Sequence, residues 1–103
     1  MKSKIIKNKI FVIAEIANSH QGNLEYLLNL IDEVGKTKAD AIKFQKFYAD
    51  ELTEKDHPDY KLFKKLEFNK NEWKKIIKYA KTKKLKVIVD VFGIKSAKEI
   101  SKI

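Results

Sequence analysis

Ile10-Phe11-Val12-Ile13-Ala14, Ala41-Ile42-Lys43-Phe44 and Val87-Ile88-Val89-Asp90-Val91-Phe92 are the stretches on which the fold turns. Each is short, rich in β-branched or aromatic residues, and continuous rather than alternating. Strands covered on both faces, as in a parallel sheet, have this pattern. Between the first two, Leu24, Leu27, Leu28, Ile31 and Val34 recur at helical spacing. That spacing predicts a helix over 24–36 with one buried stripe and Asn23 as its N-cap. Between the second and third, Trp73, Ile76, Ile77 and Ala80 share one face of a helix predicted over 71–85. Asn69 and Glu72 have capping-box spacing, with asparagine in place of the usual serine or threonine. Lysines fill the outer face of this helix, as on a solvated surface. A third helix begins near Ser96, and Ala97, Ile100 and Ile103 lie at helical spacing within it.

Strands alternating with helices define an α/β protein, its parallel strands joined by right-handed crossovers. A doubly wound sheet and a barrel both meet this description. No G-x-G-x-x-G or G-K-[ST] follows a strand, so a nucleotide-binding sheet has no support. Three parallel strands also leave two long unpaired edges, which closure into a barrel removes. A complete eight-unit barrel needs about 250 residues. The expected fold is therefore the first three β/α units of a (β/α)8 TIM barrel, truncated inside the third helix. Residues 10–103 are expected to form the partial barrel, residues 1–9 a basic extension, and the natural protein to continue beyond Ile103.

Composition narrows the function. A chain of 103 residues buries roughly 65% of the surface it exposes when unfolded, enough for one modest core. With 44% hydrophobic and 36% charged residues, it has the balance of an ordered globular protein. There is no cysteine, which excludes disulfides and thiolate metal sites and fits a reducing compartment. No apolar run approaches the roughly 20 residues of a membrane span. The run at 10–14 ends at Glu15, too soon for a signal peptide, so a cytoplasmic location is expected. The net charge of +9 invites nucleic acid as a partner. All 23 basic residues are lysine, however, whereas base readout and bidentate phosphate clamping favour arginine. Neither nucleic acid nor membrane is expected as a partner.

In parallel barrels the chemistry sits at the carboxyl ends of the strands. Glu15 ends the first strand, Lys43 and Gln45 lie on the second, and Asp90 lies on the third. All are polar where burial favours apolar residues. Alternation along the second strand puts Lys43 and Gln45 on one face and Ile42 and Phe44 on the other. A lysine at such a place suits an anionic ligand, a phosphate or a carboxylate. The alternative is a plain Glu15–Lys43 ion pair between neighbouring strands, which lie about 4.8 Å apart. In the loop Asn18-Ser19-His20-Gln21-Gly22, His20 suits either a titrating or metal-binding role or a hydrogen-bonding one. Gly22 supplies backbone freedom just before the helix. His57, beside Pro58 in the long segment 46–68, has no evident partner. Neither histidine has metal-site spacing: there is no H-x-x-x-H and no matching carboxylate pair.

Ile13-Ala14-Glu15-Ile16-Ala17-Asn18-Ser19-His20-Gln21-Gly22, Ala39-Asp40-Ala41-Ile42-Lys43-Phe44-Gln45 and a third strand ending in Phe92 together resemble the N-acetylneuraminate (sialic acid) synthase family. The similarity runs from Ile10 to the end of the chain. The resemblance implies a TIM barrel that condenses phosphoenolpyruvate with a sugar aldehyde such as N-acetylmannosamine. The products are a nine-carbon 2-keto acid and inorganic phosphate. It implies that Lys43 binds the phosphate of phosphoenolpyruvate, that Gln45 contacts the sugar, and that Glu15 assists proton transfer. Asp90 and His20 join the candidate substrate-binding set. A divalent metal, Mn²⁺ or Mg²⁺, is implied to orient and polarise the aldehyde. Its two histidine ligands come from later strands outside this chain, and a homodimer is implied for the parent. The isolated chain is expected to be inactive. Several positions depart from the family pattern. Ser19 stands where asparagine is usual, Asp90 where a sugar-contacting threonine is usual, and Lys38 and Lys84 where glycines follow the helices. A non-catalytic, self-associating α/β module is the rival expectation.

Overall fold

The computed structural model describes residues 10–103; the basic extension expected over residues 1–9 lies outside them. Three strands, β1 (Ile13–Ala17), β2 (Ala41–Lys46) and β3 (Lys86–Val91), form one parallel sheet in the order β1-β2-β3. Helix α1 (Leu24–Gly35) joins the first pair. Helices α2 (Ala49–Leu52), α3 (Tyr60–Leu66) and α4 (Lys70–Thr82) lie between the second pair, and α5 (Ile94–Ser101) follows β3. The parallel α/β class is as the sequence indicates.

The core lies between the sheet and helices α1 and α4. Ile42 and Phe44 project from β2 against Leu27 and Ile31 of α1 and Trp73, Ile76 and Ala80 of α4, all fully buried or nearly so. Trp73 meets Phe44 and Phe68 edge to face, with centroids 5.9 and 6.0 Å away. Removing a core ring of this size costs about 3–5 kcal/mol. Both helix starts use the side chains the sequence indicates. Asn23 accepts from the Tyr26 amide at 2.9 Å. Asn69 accepts from the Glu72 amide at 2.8 Å while Glu72 accepts from the Asn69 amide at 2.9 Å, a reciprocal capping box.

Three boundaries move, each for a local reason. The first strand runs 13–17, not 10–14. Upstream of it the Asp40 carboxylate takes the Val12 amide at 2.8 Å, and Ile10, Phe11 and Val12 remain exposed. Helix α4 stops at Thr82 because Lys84 adopts φ +61°, a left-handed turn that ends the helix before Leu85. In α5 the buried position of the first turn is Ser96, and Ala97 faces outward. Ile100 and Ile103 do reach the core, but the helix itself closes at Ser101. The segment 46–68, where the sequence offered no elements, holds the two short helices α2 and α3.

Candidate active site at the strand ends

The helices cover the Ile42/Phe44 face of the sheet and leave the opposite face open. On that face β1 and β2 pair Glu15 with Lys43, and β2 and β3 pair Gln45 with Asp90. Lys43 Nζ lies 3.4 Å from Glu15 Oε1 and 3.1 Å from Asp90 Oδ2. One ammonium thus sits between carboxylates from both neighbouring strands. Hydrogen bonding to Asp90, then to Glu15, holds the Lys43 ammonium above the usual lysine range. The cluster remains in reach of water: the Lys43 side chain is 31% exposed. The ion pair weighed from the sequence is therefore present, and Asp90 is a partner it did not include.

A bulge between Glu15 and Ala17 shapes the β1 side of this face. Ala17 takes φ +49° there, which a residue with a Cβ adopts only when neighbours enforce it. Glu15 turns its Oε2 back to the Ala17 amide at 3.2 Å. The bulge sends Ile16 into the core and delivers Asn18, whose Nδ2 donates to Gln45 Oε1 at 3.3 Å. Asn18 Oδ1 is buried without a hydrogen-bond partner among the described residues. Two amides thus stand beside the ion cluster, and amides suit sugar hydroxyls in either direction.

His20 occupies a different environment. Its side chain is 1% exposed and lies 4.7 Å from the Phe68 ring, with Nδ1 accepting from the Gly22 amide at 2.8 Å. Burial pushes its pKa down to about 4, so the ring is neutral at pH 7. Of the two roles open from the sequence, these contacts are those of a hydrogen-bonding residue that braces the loop. Gly22 is required in the same turn: φ is +78°, and a Cβ would run into the Lys65 carbonyl. His57 does have a partner, the Asp59 amide at 3.0 Å, in an exposed turn.

The segment after β2 holds a polar cluster that sequence reasoning missed. Lys46 is fully buried on the helix side of β2, with Nζ 3.1 Å from Glu99 and 4.1 Å from the Tyr48 ring centroid. Tyr48 Oη donates to the same Glu99 oxygen at 2.5 Å. Glu51 accepts from the Ser96 amide at 3.0 Å, from Ser96 Oγ at 2.5 Å and from the Tyr48 amide at 2.8 Å. A carboxylate from α2 thereby serves the first turn of α5, whose own N-cap, Gly93, has no side chain. Burial raises the carboxyls of Glu51 and Glu99. Hydrogen bonds from Ser96 to Glu51 and from Tyr48 to Glu99, with the Lys46 charge beside Glu99, outweigh this and leave both below the usual range.

Among the described residues, no three His, Cys, Asp or Glu side chains converge as metal ligands. An open groove of about 600 Å³ lies over residues 50–56, rimmed by Asp50, Glu54 and Asp56, and none of Glu15, Lys43, Gln45 and Asp90 lines it. No helix among the described residues is long and apolar enough to cross a membrane.

Fold and site together define a parallel β/α protein with its charged side chains at the strand ends, the arrangement of α/β enzymes. The chain belongs to the NeuB family, whose model matches residues 30–103. It is 37% identical over 70 residues to an uncharacterised protein of Methanocaldococcus jannaschii, covering 68% of this chain and 21% of that protein. It is 47% identical over 45 residues to the pseudaminic acid synthase of Campylobacter jejuni, covering 44% of this chain and 13% of the synthase. Its fold matches the crystal structure of N-acetylneuraminic acid synthetase from Leptospira borgpetersenii in complex with citrate, with a TM-score of 0.84 and 29% identity. That match covers 92% of this chain and 33% of the synthetase. The chain thus spans about a fifth or less of these curated relatives and a third of the solved structure.

Proposed function

We propose that the chain supplies the first three β/α units of a TIM-barrel enzyme that condenses phosphoenolpyruvate with an N-acylated sugar aldehyde to a 2-keto sugar acid. The observation that carries this reading is the placement of Lys43, solvent-accessible at the strand ends and set between Glu15 and Asp90. Family membership and the sialic and pseudaminic acid synthases among its relatives support it. In this reading Lys43 provides the positive charge for the phosphate of phosphoenolpyruvate, a task suited to a compact ammonium. Gln45, held by Asn18, presents amide hydrogen-bonding atoms to the sugar. Glu15, beside Lys43, takes part in proton transfer, and Asp90 lines the same face. His20 acts through the loop it braces rather than by contact.

Carbon 3 of phosphoenolpyruvate bonds to the aldehyde carbon, water adds at carbon 2, and phosphate departs. Among the described residues no side chains converge as a site for the divalent metal that the family resemblance implies. The later part of the barrel, the metal ligands and a homodimeric, cytoplasmic parent belong to the same proposal. The test is Lys43→Ala in the full-length enzyme. The KM for phosphoenolpyruvate should rise at least tenfold, the loss expected when a charge-assisted contact worth about 1.5–3 kcal/mol is removed. An unchanged KM would remove Lys43 from the site.

One set of observations favours the non-catalytic alternative. Ile10, Phe11, Val12 and Ile13 at the β1 edge, and Phe92 and Ile94 beyond β3, are exposed apolar residues at strands whose outer edges have no neighbour among the described residues. Sedimentation of the 103-residue chain discriminates. A defined oligomer supports self-association as a function, and heterogeneous aggregation supports an unclosed barrel.

A further inference from the structure

We propose that Asp90 is an internal competitor for Lys43, so that an anion binds at the strand ends by displacing a carboxylate the protein itself supplies. The inference rests on the reading of Lys43 as the anion site. The geometry is the argument. Lys43 Nζ is 3.1 Å from Asp90 and 3.4 Å from Glu15, so its donors are already directed at carboxylates. One ammonium and two carboxylates leave the cluster with a formal charge of −1. Such a site repels a free anion until a carboxylate swings away. Asp90 is the one free to swing. Its side chain is 45% exposed, and its 3.1 Å contact is the nearer one that an anion must displace to reach Lys43. Glu15 is also tied to the Ala17 amide, which holds it in place. The backbone register sets Asp90 opposite Gln45, so a displaced Asp90 stays beside the amides that face the second substrate. Asp90 therefore sets the selectivity of the face. It weakens small anions that offer charge alone and spares ligands whose hydroxyl or ammonium groups hydrogen-bond the released carboxylate.

The experiment titrates inorganic phosphate into the full chain at low ionic strength, following the amide resonances of Lys43 and Gln45. Asp90→Asn keeps the shape, removes the charge and should tighten phosphate binding about two- to fivefold, the scale of an exposed ion pair. Glu15→Gln should tighten it less, and Lys43→Ala should abolish the shifts. Unchanged or weaker binding in Asp90→Asn, with Lys43→Ala still abolishing it, overturns the competition and leaves Lys43 as the anion site. Shifts that survive Lys43→Ala, or that never occur in wild type and Asp90→Asn alike, overturn the Lys43 assignment and the competition with it.

Discussion

Lys43 and Lys46 are three residues apart on β2, and the sheet's alternation sends them to opposite faces. Lys43 keeps 31% of its side chain in water and has two carboxylate partners that are themselves half exposed. Lys46 has no exposed surface; the Glu99 carboxylate and the rings of Tyr48 and, farther off, Trp73 surround its ammonium. The contact with Glu99 is an ion pair without the alignment of a hydrogen bond, so the rings and the Coulomb attraction must together replace water. The same residue type thus has two meanings. A desolvated lysine is committed to the fold, since leaving its partner exposes it to the full burial penalty. A wet lysine can exchange a protein carboxylate for a ligand at little cost. Accessibility, more than charge, separates the structural lysine from the candidate functional one.

The largest expected effect tests that difference directly. Glu99→Ala strips the buried Lys46 ammonium of the carboxylate in contact with it and should cost about 3 kcal/mol. That is the lower end for breaking a buried pair, because Glu99 keeps a little contact with water. Lys43→Met should leave the urea midpoint unchanged. Urea denaturation of the two variants beside the wild type measures both. Equal losses would mean that Lys43 also holds the fold together, and the contrast would collapse.

Acid should sharpen the comparison next, because the groups held against protonation lie on the packed side. His20 has a pKa lowered from 6.5 to about 4, so its folded ring resists the proton that the unfolded chain accepts. The stability it contributes is complete above pH 6.5 and drains as pH falls toward 4, by about 3 kcal/mol at most. Glu99 and Glu51 are depressed below 4.5, so their contribution is present above that value and is lost only at still lower pH. Thermal melts from pH 7.5 to 3.5 should show a first decline beginning near pH 6.5. Glu99→Gln should flatten only the later one. A melting temperature constant from pH 7 to 4.5 would contradict the burial of His20.

These contrasts bear on how much was legible in advance. The parallel sheet, the two main helices and their asparagine caps follow from apolar runs and spacing, because burial on a regular element imposes a period. Lys43, Gln45, Glu15 and Asp90 were visible as polar residues inside those runs. Lys46 was not, since a lysine at the end of a strand looks the same whether it faces water or Tyr48. Glu51, Ser96 and Glu99 were hidden for a related reason. Their burial depends on α2 and α5 meeting across 45 residues of chain, which no local pattern records. Ser96 displaced Ala97 from the inner face because Glu51 captures its amide and hydroxyl.

A third lysine gives the smallest effect and separates backbone from side chain. Lys84 is exposed, yet its backbone holds φ +61° in the turn that releases α4 into β3. The sequence marked Lys38 and Lys84 as places where glycine eases helix termination, and only Lys84 takes the left-handed conformation that glycine favours. Lys84→Gly removes the Cβ strain while making the unfolded chain more flexible, two effects of opposite sign. Relief of the strain should prevail, giving a gain of about 0.5–1 kcal/mol, whereas Lys38→Gly should be neutral or slightly destabilising. Chemical denaturation resolves the pair. A gain at Lys84 alone would show that what matters there is the conformation and not the ammonium. A loss would mean that the lysine stem or charge contributes more than the turn costs, a third role for lysine beside the buried and the solvent-accessible.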